Sequence, residues 1–312
     1  MTITPDNRLF CFGLGYSALA LIELLRGDGW SFAGSCREPD KAEALCRAGI
    51  DAHVFGGGQA LPEIRQALSS VTHLLISAPP DASGDPVLRC HGPDIAALMT
   101  VTPRLAWAGY LSTTGVYGDH GGGWVDETTA RRPTGERGRR RVDAEDDWLA
   151  LWRDHGVPVH LFRLAGIYGP GRSALDTVRA GKAQRIDKPG QVFSRIHVAD
   201  IAAVLRASMA RPNPGAAYNV CDDNPAPPEE VIGYACELLG VPPPPLVSFA
   251  NADLSPMARS FYDDNKRVSN TRIKAELNLR LRYPDYRAGL TTLLSSRESL
   301  NKLQFEIRRV IL

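Results

Sequence analysis

A glycine-rich turn is the segment whose residue types and spacing point most directly to chemistry. It reads Gly13-Leu14-Gly15-Tyr16-Ser17-Ala18 and follows a short apolar run. Gly13 would permit a tight turn, and Gly15 would let the backbone approach a pyrophosphate. A helix beginning there would add the free N–H groups of Tyr16 and Ser17 and the positive end of its dipole. The turn therefore predicts a dinucleotide site, and a glycine turn without a ligand is the alternative.

The end of the next apolar run bears on which dinucleotide is bound. It reads Ser35-Cys36-Arg37-Glu38, where an acidic residue would hold the ribose hydroxyls of NAD. Arg37 can instead pair with a 2′-phosphate and stack on adenine. We therefore expect NADP to be preferred over NAD, and an arginine that is merely solvated is the alternative.

A third segment ends a strand in a rigid turn. Ala78-Pro79-Pro80 follows the apolar run His73 to Ser77. Small and proline residues would lie against a cofactor ribose without donating a competing N–H. Ala78 and Pro79 are therefore candidate cofactor contacts, and a strand end without further role is equally compatible with the pattern.

The elements that position these turns alternate between short apolar runs and helical segments. Such alternation is typical of a parallel sheet covered on both faces. The predicted strands are 8–12, 31–35, 52–55, 73–77, 107–111, 159–163 and 217–220, and the predicted helices are 19–26, 40–48, 62–69, 86–99, 142–155, 198–209 and 229–239. Right-handed crossovers favour a doubly wound α/β Rossmann sheet with its ligand at the carboxyl ends of the strands.

Proline-rich punctuation marks a second, smaller part of the chain. Residues 225–228 and 242–245 bracket one helix, which favours a C-terminal cap over the sheet. We expect residues 1–222 to form mainly the Rossmann domain and 223–294 mainly the substrate cap, which also takes part of 170–195. The remaining 295–312 would form a C-terminal tail.

Composition excludes several classes of protein. The 312 residues have 44% hydrophobic content and a formal net charge of +1, so no global field recruits nucleic acid or a membrane surface. No apolar run is long enough to span a bilayer, and the start of the chain lacks a secretory pattern. These features predict a cytoplasmic location.

Cysteine and histidine spacing indicates no metal site. The six cysteines contain no Cys-x-x-Cys pair, and the seven histidines lack ligand spacing. We therefore expect buried free thiols and no bound metal.

Four further segments resemble a known family. The chain reads Ser112-Thr113-Thr114-Gly115-Val116-Tyr117-Gly118 after one strand, and later Phe162 to Gly171, Arg195 to Asp200, and Tyr218-Asn219-Val220. Together they resemble the NAD(P)-dependent epimerase/dehydratase family of extended short-chain dehydrogenases/reductases. The segments 267–270 and 283–284 resemble an atypical bacterial branch of nucleoside-diphosphate-sugar epimerase-like proteins. The resemblance spans roughly residues 8–292 and implies an NAD(P)-binding fold and a homodimer.

The resemblance also implies roles for three residues. Thr113 matches the catalytic Ser/Thr that hydrogen-bonds a substrate hydroxyl or carbonyl. Arg137 stands where the acid/base tyrosine belongs, and Arg141 stands where the ribose-binding lysine belongs. A guanidinium keeps its proton near neutrality, so the usual proton relay is missing.

The two arginines still share one helix face, because they are four residues apart. Arg141 could hold ribose hydroxyls or a substrate phosphate, and Arg137 could clamp an anion. A solvated basic loop over 136–141 is the alternative. Tyr117 and Tyr168 are other candidate proton donors, although packing is the favoured role for both.

Two functions remain open on this sequence. The first is an oxidoreductase or epimerase acting on a small anionic substrate such as a nucleotide sugar, with Thr113 and Arg141 in the catalytic site. The second is an inactive NADP-binding sensor that reports cofactor occupancy to a partner.

Overall fold

Seven apolar segments form one parallel sheet at the centre of the molecule. The computed structural model describes residues 7–101 and 104–295. Its strands are β1 (Asn7–Phe12), β2 (Trp30–Cys36), β3 (Asp51–Val54), β4 (His73–Ile76), β5 (Trp107–Thr113), β6 (Trp124–Val125), β7 (Val159–Leu164), β8 (Gly166–Tyr168), β9 (Arg185–Asp187), β10 (Arg195–His197), β11 (Ala217–Val220), β12 (Leu246–Ser248) and β13 (Arg267–Val268). The main sheet has the order β11-β7-β5-β4-β1-β2-β3. Every neighbouring pair in it is parallel.

Helices cover both faces of this sheet. The helices of the described residues are α1 (Tyr16–Leu25), α2 (Pro39–Arg47), α3 (Ile64–Leu68), α4 (Pro86–Val101), α5 (Glu136–His155), α6 (Ala174–Arg179), α7 (Val198–Ala210), α8 (Pro228–Leu239), α9 (Pro256–Ser260), α10 (Thr271–Leu277) and α11 (Tyr286–Ser295). The doubly wound Rossmann sheet predicted from the sequence is confirmed.

Alternate side chains of β1 pack into the two hydrophobic cores on opposite faces of the sheet. Leu9 and Cys11 belong to the core under α1, α2 and α7. Phe10 and Phe12 belong to the core under α3, α4 and α5. Successive side chains of a strand point to opposite faces, so a strand buried on both sides reads as a continuous apolar run.

The predicted elements lie within a few residues of those found, with one informative exception. Helix α5 was expected from residue 142 but begins at Glu136. Its first turn packs tightly, since a Cβ on Gly138 would lie 2.7 Å from Pro133 Cβ and 2.9 Å from Gly115 O. The basic run 136–141 is therefore helical, and the alternative of a flexible loop is wrong.

A separate apolar cluster organises the smaller C-terminal part. Leu175 of α6, Val231 of α8 and Leu290 of α11 pack together away from the main sheet. The strand pair β9–β12 lies beside α8. The proposed domain limits stay a prediction, and most of the predicted tail lies outside the described residues. Within those residues, no helix has the length and apolar character that a membrane crossing requires.

Candidate functional site

The sheet has a switch point between β1 and β4, where the winding reverses. In open α/β sheets ligands bind at such a point, outside the carboxyl ends of the strands. The N–H groups of Ser77 and Ala78 both donate to Phe12 O, at 2.8 and 2.9 Å. Gly13 and Ala78, both predicted cofactor contacts, therefore face each other across this crevice.

Gly13 makes the turn that closes the crevice on one side. Its φ is +94°, a conformation that favours glycine. A Cβ there would lie 3.0 Å from the N atom of Ala78. No other residue type fits this turn without displacing backbone.

Gly15 leaves open space where Gly13 does not. A Cβ on Gly15 would meet no atom within 4 Å. Gly15 is the N-cap of α1 and has no capping side chain, so the first-turn N–H groups have no partner from such a side chain. An open glycine beside the amino end of a helix is the arrangement that a pyrophosphate requires.

The two residues after Gly15 differ in exposure. The Tyr16 hydroxyl crosses to the loop after β8 and donates to Pro170 O at 3.0 Å. Burial raises the pKa of Tyr16 well above its usual value. Ser17 is buried, and its N–H lies in the first turn of α1.

Arg37 follows β2 at the same edge of the sheet. Its side chain is 79% exposed, and its ion pair with Glu38 is long, at 3.7 Å. The guanidinium is therefore free to meet a phosphate. Pro79, beyond β4, is also exposed.

Thr113 ends β5 on the other half of the edge. Its Oγ1 accepts the N–H of Gly115 at 3.1 Å and caps the short 3-10 helix Thr114–Tyr117. This bond uses a lone pair and leaves the hydroxyl hydrogen for another acceptor. Thr113 can therefore donate to a substrate oxygen.

Arg137 and Arg141 lie on one face of α5 but in different surroundings. The Arg141 guanidinium donates to Leu111 O at 2.6 Å and to the Tyr110 hydroxyl at 3.0 Å. Arg137 is exposed, and its guanidinium carbon lies 5.9 Å from the ring centre of Phe261. Arg141 thus holds the end of β5, whereas Arg137 lies on the exposed side of α5 beside Phe261.

A buried ion pair behind Thr113 was missed by the sequence analysis. Glu145 of α5 is fully buried and accepts two bonds from Arg163 of β7, at 3.1 and 2.8 Å. It also accepts from the Ser112 hydroxyl at 2.6 Å and from Arg131 at 3.2 Å. The available signal was an arginine near the end of a mainly apolar strand.

The same network engages Tyr117. Its hydroxyl donates to Asn219 Oδ1 at 2.7 Å and accepts from Arg163 at 2.9 Å. Burial raises its pKa. Tyr168, the other candidate proton donor, donates to Asp285 O at 3.2 Å, and burial raises its pKa as well. Both tyrosines are held in structural bonds.

His197 ends β10, caps α7 and packs against Tyr283, which lies between α10 and α11. Its Nδ1 accepts the N–H of Ala199, which assigns the proton of the neutral ring to Nε2. The ring lies 4.0 Å from that of Tyr283, and burial lowers its pKa to about 4. His197 is therefore a neutral helix cap at physiological pH.

Cysteine and metal chemistry have little support at this site. All six cysteines are free, and only Cys46 is exposed. Across residues 7–101 and 104–295, no group of three or more histidine, cysteine or acidic side chains is arranged to hold a metal ion.

The chain is similar to known proteins in sequence and in structure. No family model matches the chain. Protein YeeZ of Escherichia coli (strain K12) is 31% identical over 288 residues, which cover 88% of this chain and 95% of that protein.

Two solved structures share the fold along nearly the whole chain. A functionally unknown conserved protein from Silicibacter pomeroyi DSS is 55% identical, with a TM-score of 0.85 and coverage of 94% of this chain and 99% of that one. The dTDP-glucose 4,6-dehydratase of Bacillus anthracis, in complex with NAD, is 16% identical, with a TM-score of 0.73 and coverage of 95% and 97%. The likeness to the dehydratase is one of fold.

Proposed function

This chain belongs to the family of Protein YeeZ, with the extended short-chain dehydrogenase/reductase fold, and we propose that it is an NAD(P)-binding oxidoreductase or epimerase-like enzyme. Its substrate would be a small anionic molecule of the nucleotide-sugar class, as the name of the dehydratase suggests. The proposal extends to a homodimer in the cytoplasm.

The observation that carries the proposal is the crevice between β1 and β4. Gly13 fits only as glycine, while the space beside Gly15 is open. These residues fit a dinucleotide: the amides at the start of α1 would hold the pyrophosphate, and Ala78 and Pro79 would lie along the ribose. Arg37 would meet the 2′-phosphate of NADP.

The chemistry would take place beside Thr113. When bound, the nicotinamide would supply or accept a hydride. Thr113 would donate its hydroxyl hydrogen to the reacting oxygen. Arg141 would fix the end of β5, and Arg137 would bind the anionic part of the substrate. Because arginines replace the Tyr-x-x-x-Lys pair, the proton would be carried by the substrate or by another group.

Turnover and binding can be measured separately. Fluorescence of the reduced cofactor on mixing with the protein reports binding, and loss of its absorbance across a panel of sugars and carbonyl compounds reports turnover. We expect Thr113→Val to lower any such turnover about 100-fold, since proton-transfer and polarising groups contribute about that much.

Thr114→Val is the matched control for this substitution, because Thr114 is the adjacent, also half-buried hydroxyl. Thr113→Val also removes the hydrogen bond that Thr113 accepts from the Gly115 N–H. Thermal unfolding of both variants measures how much stability is lost with that bond. Equal turnover in the two variants would exclude Thr113 from the reaction.

Cofactor choice is tested at Arg37. Arg37→Asp should weaken NADP binding at least tenfold and leave NAD binding equal or tighter, because the substitution puts a carboxylate where the 2′-phosphate lies. Isothermal titration with both cofactors measures this. Unchanged NADP affinity would show that the strand end does not contact the adenosine ribose.

A second candidate function is a cofactor-binding sensor without turnover. It is favoured by the arginines at positions 137 and 141 and by the engagement of Arg141 with Leu111 O. Cofactor binding with no turnover across a broad substrate panel would support the sensor over the enzyme.

A further inference from the structure

The C-terminal part of the molecule contains a cavity whose lining includes none of the predicted cofactor contacts. It lies among α6, α8 and α11 and has a volume of about 610 Å³. Small-molecule sites in proteins typically measure about 300–1,000 Å³. Neither Gly13, Arg37 nor Thr113 lines this cavity.

Cations without acidic partners surround the cavity. Its lining includes Arg172, Lys182 and Arg195, and none of them forms a salt bridge among the described residues. The one carboxylate in the lining is Asp176, which is occupied by a 2.6 Å bond from the Ser173 hydroxyl. The wall therefore has an excess of positive charge.

Arg195 is the cation held most firmly at this wall. Its Nη1 donates to Phe193 O and Ala226 O, at 2.8 and 3.0 Å. Asp222 is the nearby acid, but burial raises its pKa to about 8. Burial therefore favours the neutral form of Asp222 and weakens its compensation of the Arg195 charge.

The rest of the lining is apolar and aromatic. Tyr168 and Tyr286 contribute rings, and Val231, Ile232 and Leu290 contribute aliphatic side chains. A small inorganic ion would not cover such a surface. Removal of apolar surface from water favours binding, so a ligand with an apolar body would bind more tightly than its head group alone.

We propose that this cavity is a second ligand site, which binds an organic anion. The phosphate or carboxylate head lies between Arg172, Lys182 and Arg195, and the apolar body lies against Tyr168 and Tyr286. The site goes beyond the proposed function, because it shares no residue with the cofactor edge or with Thr113.

The test uses 1-naphthyl phosphate, with 1-naphthol and inorganic phosphate as the two halves of the probe. Isothermal titration of the full chain should show binding of the naphthyl phosphate, and affinity at least tenfold weaker for either half. The titration is repeated with saturating NADP, and the affinity should not change. A failure of NADP to bind would count against the cofactor proposal and leave this one intact.

Variants then locate the site. Arg172→Gln with Lys182→Gln removes two exposed cations of the lining, and should weaken the probe at least tenfold. Arg153→Gln with Arg206→Gln is the control, because it removes two exposed arginines on α5 and α7. Thr177→Trp adds bulk to the lining without a change of charge, and should also weaken the probe at least tenfold.

Three results would overturn the proposal. The first is the absence of probe binding at millimolar concentration. The second is equal affinity in the lining and control double variants. The third is binding of inorganic phosphate as tight as that of the naphthyl phosphate, which would show that the apolar wall takes no part.

Discussion

The two halves of the sheet edge are built in opposite ways. Around β1, β2 and β4, the site consists of main chain and open space, with the turn at Gly13 and the unfilled position at Gly15. Around β5 and β7, polar side chains fill the space and bond one another, with Glu145 and Arg163 at the centre. One half thus offers main-chain groups and open space, and the other is filled by a network of side chains behind Thr113.

This difference explains why arginine has three roles in one region. Arg163 is buried and paired with a carboxylate, Arg141 is half-buried and bonded to a strand carbonyl, and Arg137 is exposed. Their charge and donor geometry are the same, so burial and partner decide which is structural. Of these three, Arg137 is the most exposed, and Arg141 keeps its role in the catalytic site as a prediction.

The largest effect is expected from breaking the buried network. Glu145→Gln leaves the buried guanidinium of Arg163 without its counter-charge, and losing one partner of a buried pair costs about 3–5 kcal/mol. Urea unfolding should show a loss of this size in the free energy of unfolding.

Asp146→Asn is the control for this substitution. Asp146 bonds the same Arg131 at 2.7 Å but is 53% exposed, and exposed pairs contribute about 0–1 kcal/mol. Similar losses of unfolding free energy in the two variants would mean that the Glu145–Arg163 pair stabilises the fold no more than a surface ion pair does. The filled half of the edge would then not be held together by its buried network.

The open half of the edge could be predicted from sequence, because its features are local. Gly13 and Gly15 are two residues apart, and the turn they form depends on backbone conformation within one segment. The apolar runs of the strands are equally local, so all seven strands of the main sheet were predicted at nearly their observed bounds.

The filled half could not be predicted in the same way. Glu145 meets Arg163 across 18 residues, and Tyr117 meets Asn219 across 102. Such pairs depend on how α5 packs against the sheet. The start of α5 at Glu136 was missed for a related reason. Its first turn is held by close packing against Pro133 and Gly115. The helix propensities of the residues in the turn do not reveal these contacts.

A second prediction concerns Asp222, just after β11 in the filled half. Burial raises its pKa to about 8 against the pull of Arg195 and the Asn224 N–H, and with the added repulsion of Asp223 and Asp285. In the unfolded chain an aspartate titrates near pH 3.9. Between these values the folded protein binds one more proton, so the free energy of unfolding falls as pH rises, by at most about 1.4 kcal/mol per pH unit.

Asp222→Asn replaces the titrating carboxyl group with a neutral amide. The amide oxygen can still accept the N–H of Asn224. Relative to the wild type, the variant should gain about 2 kcal/mol in stability between about pH 5.5 and 7.5. Urea unfolding at the two pH values measures the gain. Parallel pH profiles of the two proteins would show that Asp222 is already ionised in the folded state at neutral pH.

The smallest effects should come from the open half, where the two glycines separate folding from binding. Gly13→Ala places a Cβ 3.0 Å from the N atom of Ala78 at a φ of +94°, and should lower stability by about 1–2 kcal/mol. Gly15→Ala meets no atom of the chain within 4 Å, so stability should hardly change. The new methyl group would instead occupy the space of the pyrophosphate and weaken cofactor binding about tenfold, or about 1.4 kcal/mol. Calorimetric titration and thermal unfolding of both variants measure the two effects. Unchanged cofactor affinity in Gly15→Ala would show that the pyrophosphate does not lie at the start of α1.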